Sequence, residues 1–443
     1  MRRLKTFPKG GVHPPGNKHL TSGKAIINAA IPSISRIPLQ QHIGSPAECL
    51  INPGENVKEG MLIGRSTGFI SAQIHSSIPG VVKEVRDIYL ANGFKSKGVV
   101  IEMEGEFDTL GKRQEKNNWE KLSAEELLNI IADRGIVGMG GATFPTHVKY
   151  KIPKHAKVEA FVVNGTECEP YLTADHRLML EKTEEIMEGA RIVDKILNPE
   201  KIYIAIEANK LDAIEVMQKA VSLLNKHAEV VPLEIKYPQG DEKQLLKAII
   251  NREVPSGGLP IDIGAVVSNV GTIFAIYEAV VMGKPLIERI VTVTGGAIKN
   301  PQNLKVRIGT PIGDLIEECG GFSEMPVKVV AGGPMMGFAI YELEAPVTKG
   351  TSGVIALTKK EVKSNNQTPC LNCGRCITVC PMGLNPTLLF KEIDHMDYDS
   401  AMEEGLMDCK ECGCCAFMCP AHIPLVHGMK LGKYMAKKKK EKG

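Results

Sequence analysis

The stretch Cys370-Leu371-Asn372-Cys373-Gly374-Arg375-Cys376-Ile377-Thr378-Val379-Cys380-Pro381 returns 39 residues later (409 against 370) as Cys409-Lys410-Glu411-Cys412-Gly413-Cys414-Cys415-Ala416-Phe417-Met418-Cys419-Pro420. Both copies read C-x2-C-x2-C-x3-C-P. Two-residue gaps let three thiolates wrap one corner of a cubane while the intervening amides turn toward its sulfides. The fourth Cys opens the segment leading to the other site, and the proline keeps the backbone from folding back over it. In paired motifs of this type the fourth Cys ligates the other cluster. The spacing therefore predicts one [4Fe-4S] cluster on Cys370, Cys373, Cys376 and Cys419, and a second on Cys409, Cys412, Cys415 and Cys380. Structural zinc prefers two close pairs separated by a longer loop, so evenly stepped triplets favour cubanes. Cys414 exceeds the need of eight ligands and reads as a packed spare thiol.

Beyond this cassette the 443-residue chain is poor in cysteine: nine of its 12 cysteines lie between Cys370 and Cys419, and Cys49, Cys168 and Cys319 are scattered before it. A disulfide-stapled secreted fold would spread its cysteines instead, and isolated thiols are most often buried hydrophobes. The length suggests about three domains at roughly 150 residues each. With 43% hydrophobic residues the chain can bury large cores, and a net charge of +3 is too balanced for a general polyanion binder. Aromatic residues at 5%, with one Trp, exclude extended base-stacking surfaces. Arg2, Arg3, Lys5 and Lys9 are followed by no signal-length apolar stretch. The longest uncharged apolar run, 263–277, is broken by Gly264, Ser268, Asn269, Gly271 and Thr272 and reads as a strand plus a helix rather than a span. A soluble or peripheral protein in a reducing compartment, the cytoplasm by default, is the expectation.

Residues 1–110 hold short β-type runs between turn signals such as Asn52-Pro53-Gly54 and Pro79-Gly80. They resemble the barrel-sandwich hybrid fold of lipoyl and biotinyl carriers. The Met-Lys-Met of those carriers is missing, which makes this a structural or docking unit. A polar linker is expected at 111–118. Ser123 three residues before Glu126 marks a capped helix start. Strand-like runs at 158–163, 202–206 and 230–237 then alternate with helical patterns at 177–197 and 212–226, the signature of an α/β layer with a mainly parallel sheet over 118–286. A β-rich module with one helix follows at 288–345, then the cassette at 360–430 and a basic tail, 431–443. The tail, with Lys437–Lys440 and Lys442, reads as a solvated, disordered end; a place near anionic lipid is the alternative. His13, His42, His75, His147 and His422 show no metal-ligand spacing and read as structural.

Iron–sulfur clusters pass one electron at a time, so a partner centre must handle electron pairs. The candidate lies at Gly135-Ile136-Val137-Gly138-Met139-Gly140-Gly141-Ala142-Thr143-Phe144-Pro145-Thr146. Glycines there let backbone N–H groups approach a phosphate or flavin. This is neither the dinucleotide fingerprint, since Thr143 stands at its third glycine, nor a P-loop. Asn164-Gly165-Thr166-Glu167-Cys168-Glu169-Pro170 ends a strand where α/β proteins place ligands. Gly240-Asp241-Glu242 and Ser268-Asn269-Val270-Gly271-Thr272 follow.

These four segments, in this order, resemble the 51-kDa flavin subunit of respiratory NADH dehydrogenase, whose glycine loop reads GRGGAGFPTGLKW. Gly138 to Tyr150 match it, with departures across the four segments at Thr143, Thr166, Asp241, Ser268 and Gly271. The resemblance implies that Gly138, Gly140, Gly141, Lys149, Asn164 and Asn269 hold FMN. It implies that Phe144, Glu169 and Glu242 face the nicotinamide nucleotide, with Glu167 among the cofactor-binding residues. The module at 288–345 resembles the β-grasp, soluble-ligand-binding-type domain that follows in that family. The domain order, with its paired clusters and its Lys9-Gly10-Gly11-Val12-His13-Pro14-Pro15 opening, resembles the RnfC family over nearly the whole chain. That family supplies one component of the Rnf (or Rsx) ion-translocating electron transport complex.

The expected architecture is thus multidomain α/β: a barrel-sandwich hybrid, a Rossmann-like FMN/NADH domain, a β-grasp-type module and a two-cluster ferredoxin-like helical domain. By resemblance, the expected role is an NADH-facing component of a membrane-bound NAD:ferredoxin oxidoreductase coupled to Na+ or H+ movement, peripheral on the cytoplasmic side. Its partners would be the other redox subunits and, through them, ferredoxin. The alternatives are a soluble flavin–iron–sulfur reductase, such as a cobalamin reductase, and a flavin-free cluster relay or docking protein.

Overall fold

The computed structural model describes residues 4–108, 116–153, 156–224, 227–362 and 366–442, with 440–442 described by backbone only. Most of the expected linker, 111–115, lies outside the described residues. The chain opens with an extended arm leading to β1 (Ile26–Asn28), then enters a small β unit: β2 (Ile34–Pro38), β3 (Glu48–Cys49), β4 (Asn56–Val57), β5 (Leu62–Arg65), β6 (Ile74–His75), β7 (Gly80–Tyr89) and β8 (Lys95–Met103). A four-stranded antiparallel sheet, β2-β8-β7-β4, faces a three-stranded one, β3-β5-β6. Ile37, Leu39, Ile63, Ile74, Val82, Val99 and Ile101 fill the space between them.

The central unit comprises α1 (Ala124–Asp133), α2 (Thr146–Tyr150), β9 (Ala160–Asn164), α3 (Ala174–Glu181), α4 (Thr183–Leu197), β10 (Lys201–Glu207), α5 (Leu211–Ala220), β11 (Ala228–Leu233), α6 (Glu242–Ile250), β12 (Ala265–Asn269) and α7 (Val270–Val281). Ser123 and Glu126 close the capping box that opens α1. The four strands form a parallel sheet in the order β11-β10-β9-β12. Both faces are covered, which explains the near-continuous apolar runs. Phe161 and Val163 point into the core shared with α1, α4 and α7, while Ala160 and Val162 point to the opposite side, against Leu245, Leu246 and Ile249 of α6. The helical pattern at 177–197 is two helices rather than one. Lys182 leaves helical geometry (φ −133°), and the Thr183 hydroxyl donates to the Met179 carbonyl at 2.6 Å, replacing a backbone bond.

The third unit holds β13 (Glu288–Thr294), β14 (Gln302–Arg307), α8 (Ile312–Glu318), β15 (Lys328–Ala331), β16 (Phe338–Ala339) and β17 (Gly353–Leu357). Its six-stranded mixed sheet runs β1-β14-β13-β17-β15-β16. The sheet therefore reaches beyond 288–345: it takes β17 as a central strand and borrows β1 from the arm as its edge. The arm also pairs Lys5 with Leu233 and Val12 with Tyr237, so residues before about 33 serve the other units rather than the β-sandwich. Two buried cations cross-link the assembly. Arg307 Nη1 meets Glu59 at 2.6 Å, and Lys349 Nζ donates to the Gln73 and Gly135 carbonyls at 2.6 and 2.7 Å.

The C-terminal unit is helical: α9 (Arg375–Thr378), α10 (Pro386–Asp394), α11 (Tyr398–Glu403), α12 (Cys414–Met418) and α13 (Leu425–Lys442). The duplication seen in the cysteines extends to the backbone. Helices α9 and α12 begin 39 residues apart (375 and 414), as do α10 and α13 (386 and 425). Left-handed residues recur at equivalent places: Asn372 with Glu411, Gly374 with Gly413, and Gly383 with His422. The basic tail is the end of α13, not a disordered segment. Leu425, Met429 and Ala436 are buried along its length, and Lys439 pairs with Asp399 at 2.5 Å. Ala, Lys and Glu are also strong helix formers.

Candidate functional site

Each cysteine motif wraps part of a cavity. One, of about 340 Å³, is lined by Cys370, Cys373, Cys376 and Cys419, with Thr387 and Pro420 among its walls. The other, of about 400 Å³, is lined by Cys380, Cys409, Cys412 and Cys415, with Pro381 and Val426 among its walls. In both, the N–H two residues past the first Cys points at its sulfur at 3.4 Å: Asn372 to Cys370, and Glu411 to Cys409. The left-handed residues on either side of the second Cys turn the backbone inward. The thiols ring a space instead of converging on a point. Among the described residues, no group of three His, Cys, Asp or Glu is arranged to hold a single metal ion. Four thiols stepped around each cavity, with an inward amide beside the first Cys of each, fit the cubane that the C-x2-C-x2-C-x3-C-P spacing predicts.

The two cavities differ in setting. Cys370 and Cys373 are exposed, whereas Cys380, Cys412 and Cys415 are buried. The buried set lies against the central unit. Gln244 of α6 donates to the Pro381 carbonyl at 3.4 Å, and the Cys414 thiol points at the Tyr237 carbonyl at 3.8 Å. Val12, Tyr237, Cys412 and Cys414 share one apolar cluster, so the spare thiol is packed in a domain junction. Gly10, with φ +67°, leaves no room for a side chain: a Cβ there would stand 2.6 Å from the Cys380 carbonyl carbon. Gly11 N–H donates to Val379 O at 2.9 Å and Val12 N–H to Tyr237 O at 2.8 Å, which ties the arm to both units.

The glycine loop is a tight hairpin between α1 and α2, closed by the Gly138 N–H to Phe144 O bond at 2.8 Å. It folds over the carboxyl end of the parallel sheet, at the switch point where β10 and β12 leave β9 in opposite directions, the usual ligand position in such sheets. Asn164 and Asn269 end β9 and β12 in register with each other. Asn269 accepts from Gly271 N–H at 2.8 Å and donates to Asp175 at 2.6 Å. Asn164 donates to Gly240 O at 3.0 Å and accepts from Thr166 N–H at 3.1 Å. Gly140 sits against Asn269, while Gly141 faces open space and Phe144 is half-buried. Lys149 and Glu242 pair at 2.5 Å across the crevice. Thr166 Oγ1 and Gln239 Nε2, in the segments beside Asn164 and Gly240, are buried without a partner. An open glycine face, paired amides and orphaned buried polar atoms fit a polar ring system or phosphate.

The two remaining acids are engaged internally. The Glu167 carboxylate accepts from the N–H groups of Asp175 and His176 at 2.7 and 3.3 Å, at the start of α3. Glu169 accepts from Met335 and Met336 N–H at 3.1 and 3.0 Å, joining the strand end to the third unit, and burial pushes its carboxyl up to about 7 despite those donors. Burial likewise raises Asp175, with the Glu167 charge adding to it, and raises the Cys168 thiol.

Sequence reasoning missed the buried cations beneath this end. Lys18 Nζ donates to the carbonyls of Glu167, Glu169 and Leu172, and Lys210 Nζ to that of Thr166. Burial lowers Lys18 from its usual range. Lys18 is surrounded by remote carbonyls, which no local pattern signals, while Lys210 adds the side chains of Glu207 and Asn209 to the Thr166 carbonyl.

These features define a class, a modular electron-transfer protein with a flavin-type α/β domain and a dicluster domain. In chain order, family models match for the RnfC barrel sandwich hybrid domain (5–106), the Nuo51 FMN-binding domain (131–278), the SLBB domain (290–339) and the 4Fe-4S dicluster domain (362–420). The chain is 49% identical over 407 residues to the C subunit of the proton-translocating ferredoxin:NAD(+) oxidoreductase complex of Clostridium ljungdahlii, covering 91% of itself and 88% of that protein. It is 43% identical to the C subunit of the Na(+)-translocating ferredoxin:NAD(+) oxidoreductase complex of Acetobacterium woodii, covering 90% of each. With the C subunit of the ion-translocating oxidoreductase complex of Rhodobacter capsulatus it shares 41%, covering 96% of itself and 82% of that protein. The chain belongs to the RnfC family.

Proposed function

We propose that the chain is the NADH-facing electron-transfer component of a membrane-bound, ion-translocating NAD:ferredoxin oxidoreductase, working through FMN and two [4Fe-4S] clusters. The observation that carries this reading is the packing of the buried four-cysteine cavity directly against the crevice unit, through Gln244–Pro381 and Tyr237–Cys414. On this reading electrons pass between the crevice and that cavity and reach a redox partner through the cavity that bears the exposed Cys370 and Cys373.

In this reading Gly138, Gly140 and Gly141 present backbone to FMN, Asn164 and Asn269 orient it, and Lys149 supplies a cation beside it. Phe144, Glu169 and Glu242 border the nicotinamide nucleotide, and Glu167, held by the Asp175 and His176 N–H groups, belongs to the same cofactor-binding end of the sheet. Bound FMN supplies the conversion between two-electron nicotinamide chemistry and one-electron cluster chemistry. Cys380, Cys409, Cys412 and Cys415 hold the cluster nearer the crevice, and Cys370, Cys373, Cys376 and Cys419 the outer one. Exposed Cys370 and Cys373 make the outer site the contact point for a redox partner.

Among the described residues no helix is long and apolar enough to cross a membrane. We therefore assign Na+ or H+ movement to the other subunits and attach this chain peripherally, on the cytoplasmic side. The test is anaerobic purification followed by flavin extraction and NADH-dependent dye reduction. Bound FMN with NADH-driven bleaching of cluster absorbance supports the reading. Intact clusters with neither flavin nor NADH response leave a flavin-free relay in its place.

A further inference from the structure

The duplicated halves differ where it matters for a cluster. Thr387 and Val426 are equivalent positions, each 39 residues from the other and each the second residue of its helix, α10 or α13. Thr387 lines the cavity of Cys370, Cys373, Cys376 and Cys419; Val426 lines the cavity of Cys380, Cys409, Cys412 and Cys415. The Thr387 hydroxyl lies 2.9 Å from Cys376 Sγ. A cluster-ligating thiolate carries no proton, so in the loaded site the hydroxyl is the donor. Val426 has no donor to offer Cys415.

We propose that Thr387 is a potential-setting residue: its hydroxyl bonds the Cys376 thiolate and raises the reduction potential of the outer cluster, and the valine at the equivalent place withholds that effect from the inner one. The proposal rests on the two-cluster reading above. One-electron reduction adds a negative charge shared by the cubane and its thiolates, so a bond donated to sulfur stabilises the reduced form more than the oxidised form. Hydrogen bonds to sulfur are among the determinants of cluster potential. Thr and Val are close in shape, so exchanging them alters the donor and little else.

The test uses the full chain with both clusters loaded, followed by EPR-monitored redox titration, with iron content measured on every sample. Thr387→Val should lower the reduction equilibrium constant of one cluster by roughly three- to tenfold, tenfold being about 59 mV for a one-electron couple. Thr387→Ser, which keeps the hydroxyl, should restore most of it. Val426→Thr should move the other cluster upward by a similar factor, and it decides the matter if Thr387→Val fails to hold its iron. Full iron with less than a twofold change in both Thr387→Val and Val426→Thr overturns the proposal. A wild-type chain that binds no clusters refutes the two-cluster reading instead, and iron content separates these outcomes.

Discussion

Adjacent glycines of the hairpin loop offer a sharp test of where the flavin sits. A methyl group at Gly141 meets nothing within 4 Å, whereas one at Gly140 would stand 2.8 Å from Asn269 Cβ and 3.2 Å from its Nδ2. Gly140→Ala must therefore push Asn269 off its bonds to Asp175 and Gly271, and overpacking of this kind costs about 1–3 kcal/mol. Gly141→Ala costs the empty protein nothing and gains slightly from the reduced freedom of the unfolded chain, by about 0.4–1 kcal/mol. With FMN against the loop, the Gly141 methyl group occupies ligand space, and the same 1–3 kcal/mol becomes roughly 5- to 140-fold weaker binding. Thermal melts of the flavin-stripped protein and fluorescence titration with FMN separate the two effects. Gly140→Ala should lower both stability and affinity; Gly141→Ala should lower affinity alone. Wild-type FMN affinity in Gly141→Ala would refute the placement of flavin against this loop.

Three further outcomes follow from the geometry. Lys349 is buried, and burial lowers its ammonium from 10.5 to about 7. Below pH 7 both folded and unfolded chains hold that proton and the full burial cost stands; between about 7 and 10.5 only the unfolded chain holds it. The stability difference between wild type and Lys349→Met should thus shift in favour of wild type as pH rises through that window, by up to about 1.4 kcal/mol per pH unit. A flat difference in urea melts from pH 7 to 10 would contradict the burial argument. Arg307→Met removes the guanidinium from Glu59, both side chains being almost fully buried, and should cost about 3–5 kcal/mol in denaturant unfolding, with Glu59→Gln in the same chain recovering part of it. Cys414→Ser should keep the wild-type iron content while Cys415→Ser loses one cluster's share; equal iron loss in both would mean that Cys414 is a ligand.

The readable parts of the sequence were those with local periodicity or fixed spacing. The cassette, the Ser123 capping box and the alternating strands and helices depend on neighbours within a few residues, so their geometry is written in the chain itself. The break at Lys182 escaped notice because apolar residues on both sides, such as Met179 and Met187, still reach one core. One element of the third sheet, β1, was unreadable for a different reason, whereas the apolar run of β17 is a legible buried strand that lies past the expected bound of that module. A three-residue strand such as Ile26–Asn28 becomes a sheet edge only because Asn303–Lys305 lies open beside it. In the crevice, the asparagines and glycines carried the resemblance. Of the cations beneath, Lys18 acquires meaning only from carbonyls 149 to 154 residues away, and Lys210 joins its near neighbours Glu207 and Asn209 to the remote Thr166 carbonyl. Lys437, Lys438 and Lys439 near the end of α13 are exposed, as a solvated tail requires, but the segment is helical, with Ala436 buried and Lys439 paired with Asp399 on the surface of another helix.

The arm at residues 5–12 bears on how the molecule is made. It leaves the ribosome well before its partners, which include Leu233, Tyr237 and Val379. These contacts have very long sequence separations, and closure of such loops is slow. The pairings with Leu233 and Tyr237 can form once the central unit is made, whereas Gly10 and Gly11 seat on Cys380 and Val379 only after the first half of the cassette has been synthesised. Seating Gly10 and ordering the backbone of one cluster ligand, Cys380, thus become one late event, and the first residues of the chain help to shape a site built from some of its last.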